Sequence, residues 1–286
     1  MDFNNLQAFL AVADAGSFSR AAQRLYLTQP AVSKRLASLE DELGLRLFDR
    51  IGRKVSLTHA GSSLLPRARE LLLQAQDMKH LASNLTEEVS GPLILGTSHH
   101  IGLHRLPDVL KQYRSEYSDV QLDIRFMDSE AACRAVEKGE LEMAIVTLPT
   151  DSPSNLQIRE LWEDKLCFVT APEHELAGKR EVSLEELTCY PAVLPGPTTY
   201  TRSILEQAIQ EHDLDISLGM STNYMETLKM LAEINLGWSL LPETMLKQAK
   251  LKVLPVKLQL KRSLGLVTHG ERILSNPAQA LVSCLP

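Results

Sequence analysis

Residues 9–61 read FLAVADAGSFSRAAQRLYLTQPAVSKRLASLEDELGLRLFDRIGRKVSLTHAG, and this stretch decides the fold of the amino-terminal part of the chain. Apolar residues at helical spacing predict a first helix that ends before Gly16. Ser17 has the side chain of a helix N-cap and predicts a second, short helix. Thr28 predicts the start of a third helix, whose first turn contains Pro30, where a missing N–H costs nothing. The stretch therefore begins with three short helices in close succession.

The third helix has two contrasting faces. The inward face is predicted from a 4-3-4 spacing of apolar residues, namely Val32, Leu36, Leu39 and Leu43. The opposite face carries small, amide, hydroxyl and cationic groups, namely Gln29, Pro30, Ser33, Lys34 and Ala37, with Arg35 at its edge. Such groups near a helix N-terminus suit the DNA major groove, where Gln29 can pair with adenine and Lys34 with guanine or phosphate. For this helix alone, a polar face that only meets solvent is the other interpretation.

The segment after Gly44 is predicted to be a short hairpin. LRLFDR and VSLT are its strands, and IGRK is its tip, where Arg50, Arg53 and Lys54 cluster. Cations on a loop beside a recognition helix are placed to meet backbone phosphate or the minor groove. The three helices and the hairpin together predict a winged helix-turn-helix.

The same stretch resembles the amino-terminal domain of LysR-type transcriptional regulators. It matches the family pattern GSFxxAAxxL followed by SQPAVSxxIxxLExxLGxxLFxRxxRxVxLTxAG, except that Thr28 replaces the usual Ser and Leu36 the usual Ile. The resemblance implies that residues 18–37 are the DNA-binding helix-turn-helix. The predicted DNA-binding residues are Phe18, Thr28, Gln29, Pro30, Ser33, Lys34, Arg35, Arg50, Arg53 and Lys54.

A long helix is predicted after the hairpin, over residues 59–89. Its apolar residues alternate by four and three, which is the stripe of a two-stranded coiled coil: Leu64, Ala68, Leu71, Ala75, Met78, Ala82 and Leu85. Pro66 predicts a bend near the helix start. A helix packed on its own domain is the alternative. The family resemblance favours a dimerising linker helix, with all of these residues except Ala82 as the predicted interface.

Charge is divided unevenly along the 286 residues, whose formal net charge is −6. The segment 20–54 holds eight basic and four acidic residues, a net charge of +4, so the remainder carries −10. A small basic module on an acidic body fits a nucleic-acid contact made by the module alone. The sequence has no apolar run long enough for a bilayer and no signal-peptide pattern, so we expect a cytoplasmic protein without a membrane partner.

The body alternates short apolar runs with helical segments from residue 90 onward, in a βαβαβ order that predicts a parallel sheet with helices on its faces. The resemblance implies a two-lobed α/β domain shaped like a periplasmic binding protein, with crossings near 162–165 and 261–264. The predicted division is 1–58 for DNA binding, 59–89 for the linker and 90–286 for effector binding. Lobe I is predicted over 90–162 and 265–286, and lobe II over 163–264.

Small ligands in such folds bind at the carboxyl ends of strands, where helix N-termini point N–H groups into the cleft. The residues at those positions are mainly hydroxyl and amide side chains: Thr97, Ser98, His99, His100, Ser129, Thr147, Gly196, Thr198, Thr199, Arg202 and Asn223. They suit a small carboxylate, sulfate or phosphate-bearing metabolite. Thr97 and Ser98 as simple helix caps are the alternative, and His99 and His100 are expected to add a pH-sensitive positive charge.

Other functions are weaker interpretations of the sequence. His100 and His104 stand four residues apart, which suits a metal, and Cys167 could approach Cys189 in a redox switch, although buried apolar thiols, Cys133 among them, are the simpler interpretation. GTSHHIG lacks the elbow of a Ser/His hydrolase, and no nucleotide-cofactor motif is present. A free-standing solute-binding protein would not explain the basic module.

We therefore expect a regulator without enzymatic activity or cofactor. The expected partners are promoter DNA, a small-molecule co-inducer, a second copy of the chain in a dimer or tetramer, and RNA polymerase. The sequence names neither the effector nor the operator.

Overall fold

The computed structural model describes residues 2–51, 54–86, 88–151, 153–247 and 249–286. The chain divides into two compact units, Met1–Thr86 and Glu87–Pro286. Each unit has its own hydrophobic core, and the two are described separately. Among the described residues, no helix combines the length and the apolar character needed to cross a membrane.

The described residues of the first unit form four helices and a hairpin. The helices are α1 (Phe3–Ala15), α2 (Phe18–Arg24), α3 (Gln29–Leu43) and α4 (His59–Asn84), and the hairpin pairs β1 (Phe48–Ile51) antiparallel with β2 (Lys54–Leu57). Both predicted helix caps are present. The Ser17 side chain accepts a hydrogen bond from the backbone N–H of Arg20, and the Thr28 side chain accepts one from the backbone N–H of Ala31. Gly16 and Gly44 end α1 and α3 in the left-handed conformation, with φ of 58° and 66°.

The core of this unit joins the three short helices to the hairpin. Phe9 and Phe48 meet edge to face with ring centroids 5.6 Å apart. Val32, Leu36 and Leu39 are fully buried as predicted.

Leu43 departs from the predicted inward face. It is 37% exposed, because it occupies the last helical position before Gly44 and the chain turns away there.

A buried carboxylate fixes the hairpin against α3. Glu40 is 6% exposed, and its Oε1 accepts hydrogen bonds from the backbone N–H groups of Leu47 and Phe48 at 2.7 and 3.3 Å. Arg46 pairs with the other oxygen at 3.2 Å. This charge therefore satisfies the first N–H groups of the hairpin, which no local pattern indicated.

The long helix α4 runs through Pro66 without interruption and ends at Asn84. Its first half packs on its own unit: Ala68 is 5% exposed in the core, Leu64 packs against it, and Arg69 pairs with Asp14 at 2.9 Å. Ala68 is therefore buried within its own unit and does not offer its side chain to the predicted dimer interface, whereas Leu64 is half-buried and stays a predicted interface residue.

Further along α4 the predicted stripe is more exposed. Leu71 and Met78 are 38% and 72% exposed, and Ala75 is half-buried. Leu85 lies beyond the helix end at 88% exposure, so the predicted stripe is one position too long for the helix.

The second unit is a two-lobed α/β domain. Its first strands and helices are β3 (Gly91–Thr97), α5 (His99–His104), α6 (Pro107–Glu116), β4 (Val120–Phe126), α7 (Ser129–Glu137), β5 (Met143–Thr147) and β6 (Leu156–Thr170). These are followed by α8 (Leu184–Thr188), β7 (Ala192–Leu194), α9 (Tyr200–Gln210), β8 (Leu218–Ser221), α10 (Met225–Glu233) and β9 (Ser239–Pro242). A 3-10 turn (Glu243–Met245), β10 (Lys252–Val253), β11 (Leu260–His269) and α11 (Asn276–Ser283) complete it.

The main sheet has the strand order β10-β6-β11-β5-β3-β4, and β9 pairs with β6 as well. β3 pairs in parallel with β4 and β5, as the βαβαβ order predicts, and β11 joins β5 antiparallel. β7 and β8 form a separate parallel pair. The sheet is therefore mixed, within the predicted α/β class.

Two long strands connect the lobes. β6 and β11 pair antiparallel along their length, with an irregularity at Leu264 and Gly265, within the predicted crossing. Residues before the crossing in β6 belong to one group of cores, and Leu166 and Phe168 beyond it belong to another. β6 begins at Leu156 and β11 at Leu260, earlier than the apolar runs predicted, because the exposed positions between lobes carry polar residues in extended backbone.

Candidate functional sites

The N-terminus of α3 presents the predicted polar face. Gln29, Pro30 and Lys34 are exposed, and Ser33 and Arg35 are half-buried. Thr28 is exposed too, and its hydroxyl caps the helix by accepting from the Ala31 N–H. An amide, a hydroxyl and a cation therefore share one accessible end of a helix held by a packed three-helix core.

Phe18 does not belong to this face. Its side chain is 8% exposed and meets the ring of Phe48 at a centroid distance of 6.2 Å. It was predicted as a DNA-binding residue, and this is corrected: the aromatic ring sits in the core at the start of α2, where it sets the position of the hairpin.

The predicted basic cluster lies on the hairpin. Arg50 is in β1, and Lys54 begins β2. Arg53 lies outside the described residues. The backbone therefore puts Arg50 and Lys54 near the turn of the hairpin, in the unit that also carries α3.

A cavity of about 50 Å³ lies in the second unit, where β3, β4 and β5 end. It is lined by Ser98, His99, His100, Met127, Asp128, Ser129, Glu130, Thr147, Pro195, Thr199, Thr201, Asn223, Met225 and Arg262. Strand carboxyl ends and helix N-termini meet at this edge, as the strand-end rule predicts. The predicted residues that line it are Ser98, His99, His100, Ser129, Thr147, Thr199 and Asn223.

Four predicted effector-binding residues do not line this cavity. Thr97 is fully buried, and its hydroxyl donates to the carbonyl of Ile145 at 2.8 Å. The N–H of Gly196 donates to Asn223 Oδ1 at 2.9 Å, so it positions Asn223 instead. Thr198 is exposed. Arg202 turns along its own helix, where Nε donates to Glu206 at 2.7 Å.

Arg262 is the main lining residue that the sequence did not indicate. It is 4% exposed on β11, where the strands cross between lobes. Nε donates to Asp164 Oδ2 at 2.9 Å and Nη1 donates to Thr201 Oγ1 at 2.8 Å. The only signal in the sequence is an arginine next to the start of a predicted strand, which by itself is unremarkable on a surface.

Contacts between the lobes cross the cavity. Glu130 Oε1 accepts from the Tyr200 N–H at 2.5 Å, at the N-terminus of α9. Asn223 Nδ2 donates to Asp128 Oδ2 at 2.7 Å. His99 stacks on Phe126 and also contacts Tyr224, with centroid distances of 5.1 and 5.0 Å. The lobes therefore face each other through direct polar and aromatic contacts.

The two histidines of this site differ. Burial, followed by smaller electrostatic contributions from Arg262, His104 and Arg105, lowers the pKa of His100 to about 3. His100 is neutral at physiological pH, so the expectation that it supplies a pH-sensitive positive charge is wrong. Burial also raises the pKa of the Glu130 carboxyl, against the opposing effect of the Tyr200 N–H.

Burial disfavours the thiolate form of Cys133 and of Cys167. Burial raises the pKa of the Cys133 thiol to about 11 and raises that of Cys167 as well. Since thiolates are the reactive form, both thiols are poorly suited to redox sensing. Cys189 is exposed and donates to the Glu185 carbonyl at 3.2 Å.

A winged helix-turn-helix followed by a two-lobed α/β domain with a central cleft defines a transcriptional regulator with an effector-binding domain. Residues 3–62 match the bacterial regulatory helix-turn-helix of the lysR family, and residues 86–286 match the LysR substrate binding domain. The chain belongs to the LysR family of transcriptional regulators. Like the relatives that are named as transcriptional regulators, it is a regulator and not an enzyme.

Two relatives illustrate the similarity. An uncharacterized HTH-type transcriptional regulator in the ibpB-leuC intergenic region of Azotobacter vinelandii is 61% identical over 107 residues, which is 37% of this chain and 74% of that protein. A probable RuBisCO transcriptional regulator of Synechocystis sp. is 27% identical over 98% of this chain and 84% of its own length.

Solved structures share the fold. A full-length variant of OxyR from Pseudomonas aeruginosa has a TM-score of 0.71 at 22% identity, covering 99% of this chain and 94% of that one. Full-length CbnR complexed with its target DNA has a TM-score of 0.60 at 19% identity, covering 100% and 99%. The effector-binding domain of QuiR in complex with shikimate has a TM-score of 0.63 at 18% identity, covering 68% and 95%.

Proposed function

We propose that this regulator binds promoter DNA in the cytoplasm as a homodimer, or as a tetramer of two such dimers, and responds to a small anionic metabolite held between its two lobes. The proposed division of labour is 1–58 for DNA, 59–89 for self-association and 90–286 for the effector. The carrying observation is the accessible amide, hydroxyl and cation at the N-terminus of α3, in a domain of the lysR helix-turn-helix family.

DNA reading is assigned to α3 in the major groove. Gln29 offers both a donor and an acceptor, the pattern that pairs with adenine, and Ser33 offers a hydroxyl to a base edge. Thr28, Pro30, Lys34, Arg35 and the hairpin cations Arg50, Arg53 and Lys54 are assigned to the sugar-phosphate backbone, which positions the helix without specifying sequence. The DNA complex of the similar protein CbnR supports a duplex as the partner.

The DNA assignment is tested with an operator selected from a random-sequence pool by the wild-type protein. Gln29→Ala and Ser33→Ala should each lose about 1–3 kcal/mol of preference for that operator over random duplex. The control is Gln7→Ala, which removes an exposed amide from α1 and should leave the preference unchanged. Equal losses on both duplexes would remove Gln29 and Ser33 from base readout.

The effector assignment follows from the polar groups of the cavity. Ser98, Thr199 and Thr201 line the same cavity as the buried Arg262, a combination of hydroxyls and a cation that suits an oxyanion. Ser98 occupies the N-cap position of α5 without capping it through its side chain, so its hydroxyl is available to a ligand. The effector-binding domain of QuiR, which is similar to this one, was solved in complex with shikimate, and this supports a small carboxylate as the ligand.

The volume of the cavity predicts how the ligand acts. One water molecule needs a cavity of about 10–15 Å³, so a cavity of about 50 Å³ holds only a few waters. A metabolite must therefore displace contacts such as Glu130 to Tyr200 and Asn223 to Asp128. A ligand shifts a conformational equilibrium only by binding one state better than the other. We propose that displacing these contacts between the lobes is how the effector changes the action of the regulator at the promoter. RNA polymerase is the partner that we propose responds to this change.

A thermal-shift panel of small carboxylates, sulfate and phosphate on the full chain tests this site. A ligand at a hundred times its dissociation constant should stabilise the protein by about 2.7 kcal/mol. Ser98→Ala and Thr201→Val should reduce that stabilisation, while the exposed Ser115→Ala on α6 should not. A stabilising anion whose effect survives both cavity substitutions would place its site elsewhere.

A further inference from the structure

Three side chains that favour transition metals meet at the edge of the lobes. His100 and His104 stand one turn apart on α5, and their rings are 4.9 Å apart. Glu226 of α10, in the other lobe, brings Oε1 to 3.2 Å from His104 Nε2. One ligand atom from each residue lies within 4.8 Å of the other two. The sequence indicated the two histidines, and the fold supplies the third ligand from 122 residues away.

His100 is left with unused hydrogen-bonding capacity. It is 4% exposed, and neither ring nitrogen has a hydrogen-bond partner among the described residues. An unpaired buried polar group costs about 1–3 kcal/mol, so native structures rarely keep one without a reason.

The surroundings of His100 also suit coordination. Histidines that bind metals usually direct their second nitrogen to a carboxylate. Asp164 Oδ2 lies 3.8 Å from His100 Nε2, beyond hydrogen-bond length but within reach of a small ring rotation. Asp164 is itself held by Arg262 and Arg105, so this carboxylate has a fixed position.

We propose that His100, His104 and Glu226 bind one divalent transition-metal ion of the zinc class and that this ion bridges the two lobes. Metal–ligand bonds of about 2.0–2.1 Å place tetrahedral ligand atoms about 3.3 Å apart. The distance of 3.2 Å between His104 Nε2 and Glu226 Oε1 is already close to this value. The third atom closes the set by a shift of about 1–1.5 Å, within the reach of side-chain rotation.

The charges near this site predict what fills its open position. Three protein ligands leave a fourth tetrahedral position. The ligand set contains two imidazoles and one carboxylate, so a bound divalent ion keeps a net charge of +1. The open position therefore favours water or an anion. His100 also lines the cavity, which puts the ion at the margin of the effector site.

The test measures zinc binding by untagged full-length protein, first stripped with a chelator and then titrated with Zn²⁺ against a chromophoric competitor. We expect one ion per chain. Loss of a partner outside the coordination shell typically costs 10- to 100-fold in affinity, so loss of a direct ligand should cost at least about tenfold. His104→Ala and Glu226→Gln both change exposed side chains and should show this loss, as should His100→Ala. Because the titration contains no metabolite, its result is independent of the proposed effector.

The matched control is His212→Ala, which removes an exposed histidine remote in sequence from the cluster and should bind Zn²⁺ as the wild type does. Fewer than one ion per chain, or the same affinity in Glu226→Gln as in the wild type, would overturn the proposal. An equal loss in His212→Ala would overturn it too, since binding would then belong to surface histidines in general. Melting curves of each variant confirm that a lost site is not a lost fold, and the exposed His104 and Glu226 keep the test decisive if His100→Ala unfolds.

Discussion

A single buried carboxylate holds the crossing between the lobes. Asp164 is 1% exposed, and it pairs with Arg262 at 2.9 Å and with Arg105 at 3.3 Å. Removing one partner of a buried ion pair leaves an uncompensated charge, which typically costs about 3–5 kcal/mol. Asp164→Asn should therefore destabilise the second unit by about that amount. Both tryptophans, Trp162 and Trp238, lie in this unit, so urea unfolding followed by tryptophan fluorescence reports on it selectively.

The neighbouring residue supplies the control for this prediction. Glu163 pairs with Lys261 on the surface, where the two side chains are 55% and 68% exposed. Exposed pairs contribute little because water screens them, so Glu163→Gln should unfold at the same urea concentration as the wild type. Similar midpoints for Asp164→Asn and Glu163→Gln would contradict the role given to the buried pair.

Glu130 makes the stability of the second unit depend on pH. Burial raises its pKa in the folded state above the ordinary carboxyl value of 4.5, so the folded form holds its proton at a pH where the unfolded chain has lost it. Stability should then fall as pH rises through the window between the two values, and it should be higher below that window. Glu130→Gln keeps an oxygen for the Tyr200 N–H but removes the proton equilibrium, which should flatten this part of the profile.

The measurement for Glu130 is the urea midpoint by tryptophan fluorescence at a series of pH values. Glu211→Gln removes an exposed carboxylate at the end of α9 and should follow the wild-type profile. Parallel profiles for the wild type and Glu130→Gln would mean that the cross-lobe contact does not carry the pH dependence.

At the scale of elements, the predicted apolar stripe of α4 becomes exposed toward the carboxyl end of the helix. Met78 is 72% exposed there. Burial of a Met side chain contributes about 1.5–3 kcal/mol, and each tenfold in a dissociation constant corresponds to about 1.4 kcal/mol. Met78→Lys should therefore raise the dimer dissociation constant at least tenfold in sedimentation equilibrium. Gln74→Lys adds the same charge one turn earlier, outside the stripe, and should change it little; equal effects would argue against a stripe-mediated dimer.

Helix starts that depend on local hydrogen bonds could be predicted from the sequence. The burial of side chains that depends on tertiary packing could not. Ser17 and Thr28 determine helix starts through hydrogen bonds to residues three positions away, so the sequence alone indicated them. Leu43 fits the apolar spacing, yet it is 37% exposed, because its burial depends on the path of the chain after Gly44. Ala68 fits a coiled-coil stripe equally well, but its side chain is buried in the core of its own unit.

The same limit applies to the candidate ligand site. Ser98, Ser129 and Thr147 follow from the rule that ligands bind at strand carboxyl ends, which requires only the order of strands and helices. Arg262 lies within a long strand at the crossing, and its pairing with Asp164 spans 98 residues. Glu226 joins His100 and His104 only because α10 folds against α5. Such contacts between residues far apart in the chain leave no periodic pattern in a single sequence, so they could not be predicted from it.

At the scale of the whole molecule, the net charge of −6 conceals a division of function. The segment 20–54 carries +4 and the remainder of the chain −10, so we expect that segment to make the phosphate contacts and the acidic remainder to repel a duplex. Attraction between this protein and DNA therefore depends on a few cations. Each one that contacts a phosphate releases a counterion, which makes its contribution countable by salt titration.

Lys34 gives this division a direct test, because it is exposed beside Gln29 and Ser33 at the start of α3. If it contacts phosphate, Lys34→Ala should weaken binding to the selected operator and to random duplex by the same factor. The slope of log K against log salt should also become shallower by about 0.9, the value for one lost contact with B-DNA. Lys111→Ala removes an exposed lysine from α6 of the acidic unit and should leave both affinity and slope unchanged. A loss confined to the selected operator would instead assign Lys34 to a base, and a shallower slope in Lys111→Ala would bring the second unit into contact with the duplex.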